Sequence, residues 1–148
     1  MTKVLIGAGC FWGVEEYYRK INGVLETRVG YSGGVIKSPT YEQVCNGDTE
    51  HAEVVSIKYD EKLISYIDII DYFWLCHDPT QLNRQGPDFG RQYRSIIFYY
   101  SENQKNEAMI SKKTAQEKLS YPIVTEIKPA KEFYLAEEYH QLYLHKRS

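Results

Sequence analysis

The N-terminal run reads Lys3-Val4-Leu5-Ile6-Gly7-Ala8-Gly9-Cys10-Phe11-Trp12-Gly13, and its character changes twice within eleven residues. Its first part is apolar and predicts a short buried strand over residues 3–6, which ends in a glycine-rich turn. Residues 11–21 then follow a helical pattern, with acidic side chains early and basic side chains late, as the helix dipole favours. A strand that passes directly into a helix is typical of layered domains with mixed secondary structure.

The same alternation of strands and helices continues along the chain. Spacing and turn residues predict further strands over residues 25–31, 51–59, 93–100 and 123–127, and helices over 40–45, 66–77 and 101–119. A polar loop is predicted over residues 81–90. No repeat or long linker divides the chain, so we expect one domain over residues 1–148. The pattern favours the α/β or α+β class, with helices packed on one sheet, and leaves the strand order open.

The composition excludes several classes of protein. The 148 residues carry 18 Lys and Arg against 20 Asp and Glu, a net charge of −2 that argues against electrostatic binding of nucleic acid. A hydrophobic content of 43% argues against disorder. No apolar run approaches the roughly 20 residues of a membrane span. The 14 tyrosines suit either a partly wet core or a site that uses phenolic hydroxyls.

The cysteines indicate a reducing compartment. Cys10, Cys45 and Cys76 are odd in number and form no CxxC pair, so a disulfide framework is not expected. Only nine residues precede Cys10, too few for a lipoprotein signal, and a cytoplasmic protein is predicted. The histidines and cysteines also lack the paired spacings of a zinc site, so no metal is expected.

Three interpretations are open for the turn that contains Cys10. A dinucleotide-binding loop would need its third glycine one position before Gly13, and it would not place Phe11 and Trp12 where a pyrophosphate approaches. A lone cysteine between a strand and a helix can also be a buried structural side chain. The third interpretation is a nucleophile, because the N–H groups and the dipole at a helix start favour the thiolate.

Glu53 is the second candidate for chemistry. It falls on the predicted apolar face of its strand together with Val55 and Ile57, where a charged carboxylate is costly. Burial would raise its pKa and keep it protonated as a donor near neutral pH. The alternative is an edge glutamate that reaches solvent, and periodicity alone does not choose between the two.

A set of runs connects these residues with a known family. They are Gly9-Cys10-Phe11-Trp12-Gly13, Gly30-Tyr31-Ser32-Gly33-Gly34, Pro39-Thr40-Tyr41-Glu42-Gln43-Val44, His51-Ala52-Glu53-Val54, His77-Asp78-Pro79-Thr80-Gln81 with the matched positions in 84–95, and Ala136-Glu137-Glu138-Tyr139-His140-Gln141. Together they cover nearly all of residues 3–145, in the family's order. In these runs the sequence closely resembles peptide methionine sulfoxide reductase A.

The resemblance implies a fold and a reaction. The fold is an α/β two-layer sandwich of ferredoxin-like type, with a mixed sheet and packed helices. The reaction is the thiol-dependent reduction of methionine S-sulfoxide, free or in proteins, to methionine. Cys10 matches the family's nucleophile, whose thiolate attacks the sulfoxide sulfur and is left as a sulfenic acid.

The other matched positions surround the substrate. By resemblance, Glu53 is the acid that acts on the sulfoxide oxygen, and Phe11 and Trp12 form the wall that holds the substrate methyl group. The polar cluster around the oxygen is completed by Tyr41, Asp88 and Tyr93. A nucleotide-binding module and a catalytically idle reader of oxidised methionine are the alternatives from other classes of function.

The resemblance implies no bound metal, flavin or nucleotide. The expected partners are methionine sulfoxide, in oxidised proteins or as the free amino acid, and an external thiol such as thioredoxin, glutaredoxin or glutathione. Many relatives carry a Gly-rich C-terminal tail with resolving cysteines, whereas no cysteine follows Cys76 here. Cys45 is a weak internal candidate, because it shares a predicted helix face with Tyr41. We expect one-cysteine behaviour in a monomer.

Overall fold

A computed structural model describes residues 2–47 and 49–147 of the chain. In chain order, its elements are β1 (Thr2–Ala8), α1 (Phe11–Arg19), β2 (Val24–Ser32), α2 (Tyr41–Cys45), β3 (Ala52–Tyr59), α3 (Tyr66–Phe73), β4 (Arg84–Gln85), β5 (Asp88–Phe89), β6 (Ser95–Tyr99), α4 (Glu102–Gln116), β7 (Glu126–Pro129), β8 (Tyr134–Leu135) and α5 (Tyr143–Lys146). Short 3-10 turns cover Arg91–Tyr93 and Glu138–His140.

Six strands form one mixed sheet in the order β7-β6-β1-β3-β2-β8. The central strand β1 pairs antiparallel with β3 and β6, and β2 pairs antiparallel with β3 and β8. β7 runs parallel to β6, which makes the sheet mixed, as expected. β4 and β5 form a separate two-stranded ribbon inside the predicted loop of residues 81–90.

The helices cover one face of this sheet. Alternate side chains of a strand point to opposite faces, so Val4 and Ile6 of β1 pack in the main core, whereas Leu5 lies in a smaller cluster on the other face. The main core also contains Tyr18 of α1 and Ile70 of α3, both fully buried. The two-layer α+β class expected from the sequence is therefore confirmed.

Several element boundaries differ from the prediction, and two of the differences have clear local reasons. α3 ends at Phe73 rather than at residue 77, because the imidazole Nδ1 of His77 lies 2.8 Å from the Phe73 carbonyl that its backbone N–H would otherwise reach. The strand predicted over 123–127 begins at Glu126, because the N–H groups of Ile123 and Val124 donate to Gln116 and Pro79 outside the sheet.

The antiparallel pairing brings the candidate residues to one end of the sheet. Ala8, the last residue of β1, pairs with Ser95 at the start of β6, and Tyr31 near the end of β2 pairs with Glu53 at the start of β3. Cys10 follows β1 by two residues, so it emerges at the end where Glu53 enters the sheet.

Candidate active site at the start of the first helix

Cys10 caps the N-terminus of α1. Gly9 makes the preceding turn possible, because its φ is +101° and a β-carbon there would lie 2.9 Å from the side chain of Gln85. Burial and the Glu53 carboxylate raise the pKa of Cys10 to about 11, although the N–H groups of Trp12 and Gly13 lower it. The helix-start N–H groups favour the thiolate, as expected, but in the resting site burial outweighs them.

Glu53 is a buried acid rather than an edge glutamate. Its side chain is 1% exposed, and its Oε1 accepts a hydrogen bond from the Phe11 N–H at 3.2 Å. Its Oε2 is buried and has no hydrogen-bond partner among the described residues. Burial raises the pKa of Glu53 to about 8, with a further contribution from Asp88, against the Phe11 N–H, which lowers it. At neutral pH, Glu53 is therefore mostly protonated and has a proton to donate.

The same contacts oppose the dinucleotide interpretation of this turn. A phosphate at a helix start binds the first free N–H groups. Here the N–H of Phe11 donates to Glu53, and the N–H groups of Trp12 and Gly13 face the Cys10 thiol closely enough to lower its pKa. A buried carboxyl and a thiol thus occupy the positions that a pyrophosphate would need.

Aromatic rings form a wall next to the thiol. The buried Phe11 ring lies 5.7 Å from Tyr31, 6.4 Å from Tyr41 and 5.2 Å from His140, measured between centroids. Trp12 is only half-buried, and its indole N–H donates to Nδ1 of His140 at 2.9 Å. An apolar wall with a polar margin suits a small apolar group such as a methyl.

Trp12 is held on its other side by the C-terminal segment. Its ring stacks on Tyr143 with centroids 3.8 Å apart and an interplanar angle of 8°. Burial lowers the pKa of His140, so its imidazole is neutral and can accept the Trp12 N–H. The structure therefore fixes the indole from two directions.

The remaining residues expected at the site, Tyr41, Asp88 and Tyr93, share one electrostatic environment with the thiol. Burial raises the pKa of Tyr93 to about 12, and the charges of Glu53, Cys45, Asp88 and Cys10 add to this effect. Asp88 also raises the pKa of both Cys10 and Glu53. Asp88 and Tyr93 are thus coupled electrostatically to the Cys10 thiol, whereas Tyr41 is coupled to Glu53, Cys45 and Tyr93.

The other two cysteines have different surroundings. Cys45 is exposed at the end of α2, and desolvation raises its pKa, whereas the nearby Tyr41 hydroxyl lowers it. Burial raises the pKa of Cys76 to about 12, and its thiol donates to the Phe73 carbonyl at 3.3 Å. All three cysteines are free thiols.

Sequence reasoning assigned no role to Glu137, which joins two parts of the site. Its Oε1 accepts the Tyr31 hydroxyl at 2.8 Å, and its Oε2 accepts the Tyr41 N–H at 2.9 Å. Although burial favours the neutral acid, the donors from Tyr41, Glu137 itself and Tyr31 lower the pKa of Glu137 below its usual value. The only signal in the sequence was the run of residues 136–141, which matches the family but has no periodic pattern.

The described residues form neither a metal-binding cluster nor a membrane-spanning helix. No group of three or more His, Cys, Asp or Glu side chains in residues 2–47 and 49–147 could hold a metal ion. None of the helices formed by those residues has the length and apolar character that crossing a membrane requires.

Comparison with known proteins identifies relatives along nearly the whole chain. The family model described as peptide methionine sulfoxide reductase matches residues 2–148. A relative from Methanosarcina acetivorans, peptide methionine sulfoxide reductase MsrA, is 54% identical over 99% of this chain and 79% of its own length. The protein of the same name from Methanothermobacter thermautotrophicus is 56% identical over 97% of this chain and 86% of its own length.

Solved structures agree with the fold. Mxr1 of Saccharomyces cerevisiae in its reduced form has a TM-score of 0.94 and 42% identity, covering 98% of this chain and 84% of its own. Methionine sulfoxide reductase A of Corynebacterium diphtheriae has a TM-score of 0.90 and 38% identity, covering 97% and 74%. Mxr1 has also been solved in complex with Trx2, at a TM-score of 0.67 and 29% identity over 96% of this chain and 84% of its own. From the family match, these identities and the shared fold, it follows that the chain belongs to the peptide methionine sulfoxide reductase family.

Proposed function

We propose that this chain reduces methionine S-sulfoxide to methionine, with thiols as the source of electrons. One observation carries the proposal: the helix start that bears the Cys10 thiol also holds a buried carboxyl, Glu53, which accepts the Phe11 N–H, is protonated near neutral pH and has one oxygen without a partner among the described residues. A sulfoxide needs both groups, because its sulfur becomes electrophilic only when its oxygen receives a proton or a strong hydrogen bond.

Glu53 and Cys10 act together in the first step. Glu53 gives its proton to the sulfoxide oxygen, while the Cys10 sulfur attacks the sulfoxide sulfur. The Glu53 carboxylate so formed can take the thiol proton, which removes the need for a thiolate in the resting site. The oxygen then passes to Cys10, so that the thiol is oxidised to a sulfenic acid by two electrons and the sulfoxide is reduced to the sulfide by the same two.

The remaining site residues orient the substrate. In the proposal, Phe11 and Trp12 hold the methyl group, and the hydroxyls of Tyr41 and Tyr93 donate to the sulfoxide oxygen. Both tyrosines have raised pKa values, chiefly through burial, so both keep their protons and act as donors. Asp88 completes the polar side of the pocket as a binding residue.

An external thiol regenerates Cys10 in this proposal. The thiol attacks the sulfenic acid and releases water, and a second thiol resolves the mixed disulfide to restore Cys10. The complex of yeast Mxr1 with Trx2 supports a thioredoxin as the partner, and glutaredoxin or glutathione could supply the same chemistry. Cys76 is unsuited to this step because it is buried and its pKa is raised to about 12.

We further propose that residues 1–148 form one reductase domain, acting as a monomer in the cytoplasm. The proposed domain contains every residue named in the mechanism. Size-exclusion chromatography with light scattering tests the oligomeric state, and a dimer at micromolar concentration would contradict the monomer.

The activity is tested with the separated enantiomers of methyl p-tolyl sulfoxide and dithiothreitol. We expect sulfide from the S enantiomer only, and none from a Cys10→Ser control. Binding of the sulfoxide without turnover by the wild-type protein would contradict the proposal and favour a reader of oxidised methionine.

A further inference from the structure

Glu137 connects two elements that carry aromatic side chains of the site. One carboxylate oxygen accepts the hydroxyl of Tyr31, which stands on β2, and the other accepts the N–H of Tyr41, the first residue of α2. Each oxygen has its own donor, so the side chain links the two elements through two hydrogen bonds to a charged acceptor. Such bonds are stronger than those between neutral groups.

α2 depends on outside contacts for its position. It has five residues, too few for a helix to be stable by itself. Its Thr40 capping box organises the turn internally but does not attach it to the sheet. Val44 packs α2 into the main core, and the Glu137 bond to Tyr41 adds a polar attachment at the residue whose ring lies 4.3 Å from His140 and 6.4 Å from Phe11.

The Glu137 carboxylate is itself held in place by the chain on both sides. Ala136 donates its N–H to the Val29 carbonyl at 3.0 Å. Gln141 accepts from the Val29 N–H and donates to the Val29 carbonyl, both at 2.9 Å. Residues 136–141 are thus fixed to β2 at each end, which orients the carboxylate before any substrate arrives.

We infer that Glu137 is a positioning residue, which sets the Tyr41 hydroxyl for the sulfoxide oxygen by fixing α2 against β2. The inference rests on the proposed function, because it gives Tyr41 the role of a donor to the substrate. Glu137 acts only through Tyr41 and Tyr31, and takes no part in the bonds that form and break.

The test is a double-mutant cycle between Glu137→Gln and Tyr41→Phe. The amide keeps the shape of the side chain and can accept the Tyr41 N–H, but it must then donate to the Tyr31 hydroxyl, and both bonds lose the charged acceptor that strengthens them. We expect the single-turnover rate with methyl p-tolyl sulfoxide to fall about 10-fold, since small misplacements of a positioned group cost this much. In the Tyr41→Phe background, the same change should cost less than about twofold, because no hydroxyl remains to be positioned.

Controls separate positioning from folding. Rates are normalised to the number of reactive Cys10 thiols, and thermal melts are recorded for every variant. Glu138→Gln is the matched control, since Glu138 is the exposed neighbour and the change in composition is identical. It should keep the wild-type rate. If Glu137→Gln does not fold, Glu137→Asp replaces it in the cycle. The shorter side chain moves both carboxylate oxygens away from their donors, so the single-turnover rate should show the same 10-fold, non-additive loss.

Each other outcome overturns the inference. An unchanged rate in Glu137→Gln does so, and so does a loss of equal size with and without the Tyr41 hydroxyl. A lower melting temperature with a normal rate per reactive thiol would assign Glu137 a purely structural role. Failure of the proposed function looks different, because the wild-type protein itself would then reduce no sulfoxide.

Discussion

Two glutamates lie on either side of Tyr31 and hold opposite charge states. Glu53 is its partner across the β2–β3 pairing, and Glu137 accepts its hydroxyl. Burial disfavours the charged form of both. Glu137 nevertheless has a lowered pKa, whereas the pKa of Glu53 is raised to about 8. The difference follows from burial and donors together, since Glu53 is 1% exposed and receives one N–H, whereas Glu137 is only half-buried and receives one donor on each oxygen.

The comparison teaches that hydrogen-bond donors decide the charge of a carboxyl once burial has weakened its hydration. A carboxyl with a free oxygen keeps its proton and can deliver it to a ligand. One with both oxygens satisfied remains an anion and can only hold other groups in place. The following predictions test this division between a proton donor and a clamp.

The largest effect on the rate of sulfoxide reduction should come from replacing Cys10, the thiol that Glu53 assists. We expect Cys10→Ser to lose at least about 10⁴-fold in sulfoxide reduction, because a hydroxyl is a far weaker nucleophile near neutral pH. Sulfide release from methyl p-tolyl sulfoxide measures the effect. Activity close to that of the wild type would mean that neither glutamate serves Cys10.

Glu53→Gln tests the donor directly. The amide can still form a hydrogen bond to the sulfoxide oxygen but cannot deliver a proton, so the chemical step should slow by about 10²–10⁴-fold. Substrate affinity should change much less. Methionine release in a single turnover gives the answer, and a rate within a few fold of the wild type would remove Glu53 from the acid role.

The pH dependence should follow the same group. Glu53 loses its proton at about pH 8 while Cys10 keeps its own until about pH 11. The wild-type single-turnover rate should therefore fall about tenfold per pH unit between these values, since each unit removes the acid form by that factor. Glu53→Gln should lack this decline. A wild-type rate that stays level to pH 10 would contradict a protonated Glu53.

Stability should change with pH in opposite directions at the two glutamates. The folded state binds the Glu53 proton more tightly than the unfolded state, so the wild type loses stability as pH rises from about 4.5 to about 8. Glu53→Gln should therefore melt higher than the wild type at pH 9, by about 3 °C or more. The Glu137 carboxylate has a lowered pKa and stabilises the fold above its usual range, a contribution lost on acidification.

The sequence predicted one of these two glutamates and not the other. Glu53 stood out because it interrupted an apolar strand face, where a charge is costly. The same local logic found the Cys10 turn and most of the order of elements along the chain, whereas the mixed sheet was expected from the family resemblance. These features depend on neighbours within a few residues along the chain, which periodicity can detect.

Glu137 and His140 were missed because their partners are distant in sequence. Glu137 bonds to residues 106 and 96 positions away, and His140 accepts from Trp12 at a separation of 128. They lie in a segment with little regular structure, so no spacing rule applies. The Cys10 pKa was misjudged for a related reason: the helix start is local, but burial depends on the whole fold.

Trp12→Ala should have a smaller effect, on substrate capture. Burying a methyl against the indole contributes about 0.8 kcal/mol, so the Michaelis constant should rise roughly fourfold while the chemical step changes less. His140 and Tyr143 hold the indole, so this variant tests the side of the site that belongs to the C-terminal segment with Glu137. A thermal melt of the variant is the control. Loss of the cooperative unfolding transition would mean that Trp12 stabilises the core rather than binds substrate.

The smallest effect on the rate should come from replacing Cys45, which ends the helix that Tyr41 begins. Neither Cys45 nor Cys76 takes part in the proposed chemistry, so the Cys45→Ser, Cys76→Ser double variant should keep the wild-type rate in single turnover and with dithiothreitol. After one equivalent of sulfoxide, mass spectrometry should find sulfenic acid at Cys10 that dimedone traps. A stoichiometric disulfide from Cys10 to Cys45 or Cys76 in the wild type would contradict recycling by an outside thiol. A disulfide to Cys45 would require the two Cα atoms to lie within about 7 Å of each other. Glu137 fixes α2, which carries Cys45, to the sheet. We therefore expect the sulfenic acid at Cys10 to persist until an external thiol reaches it.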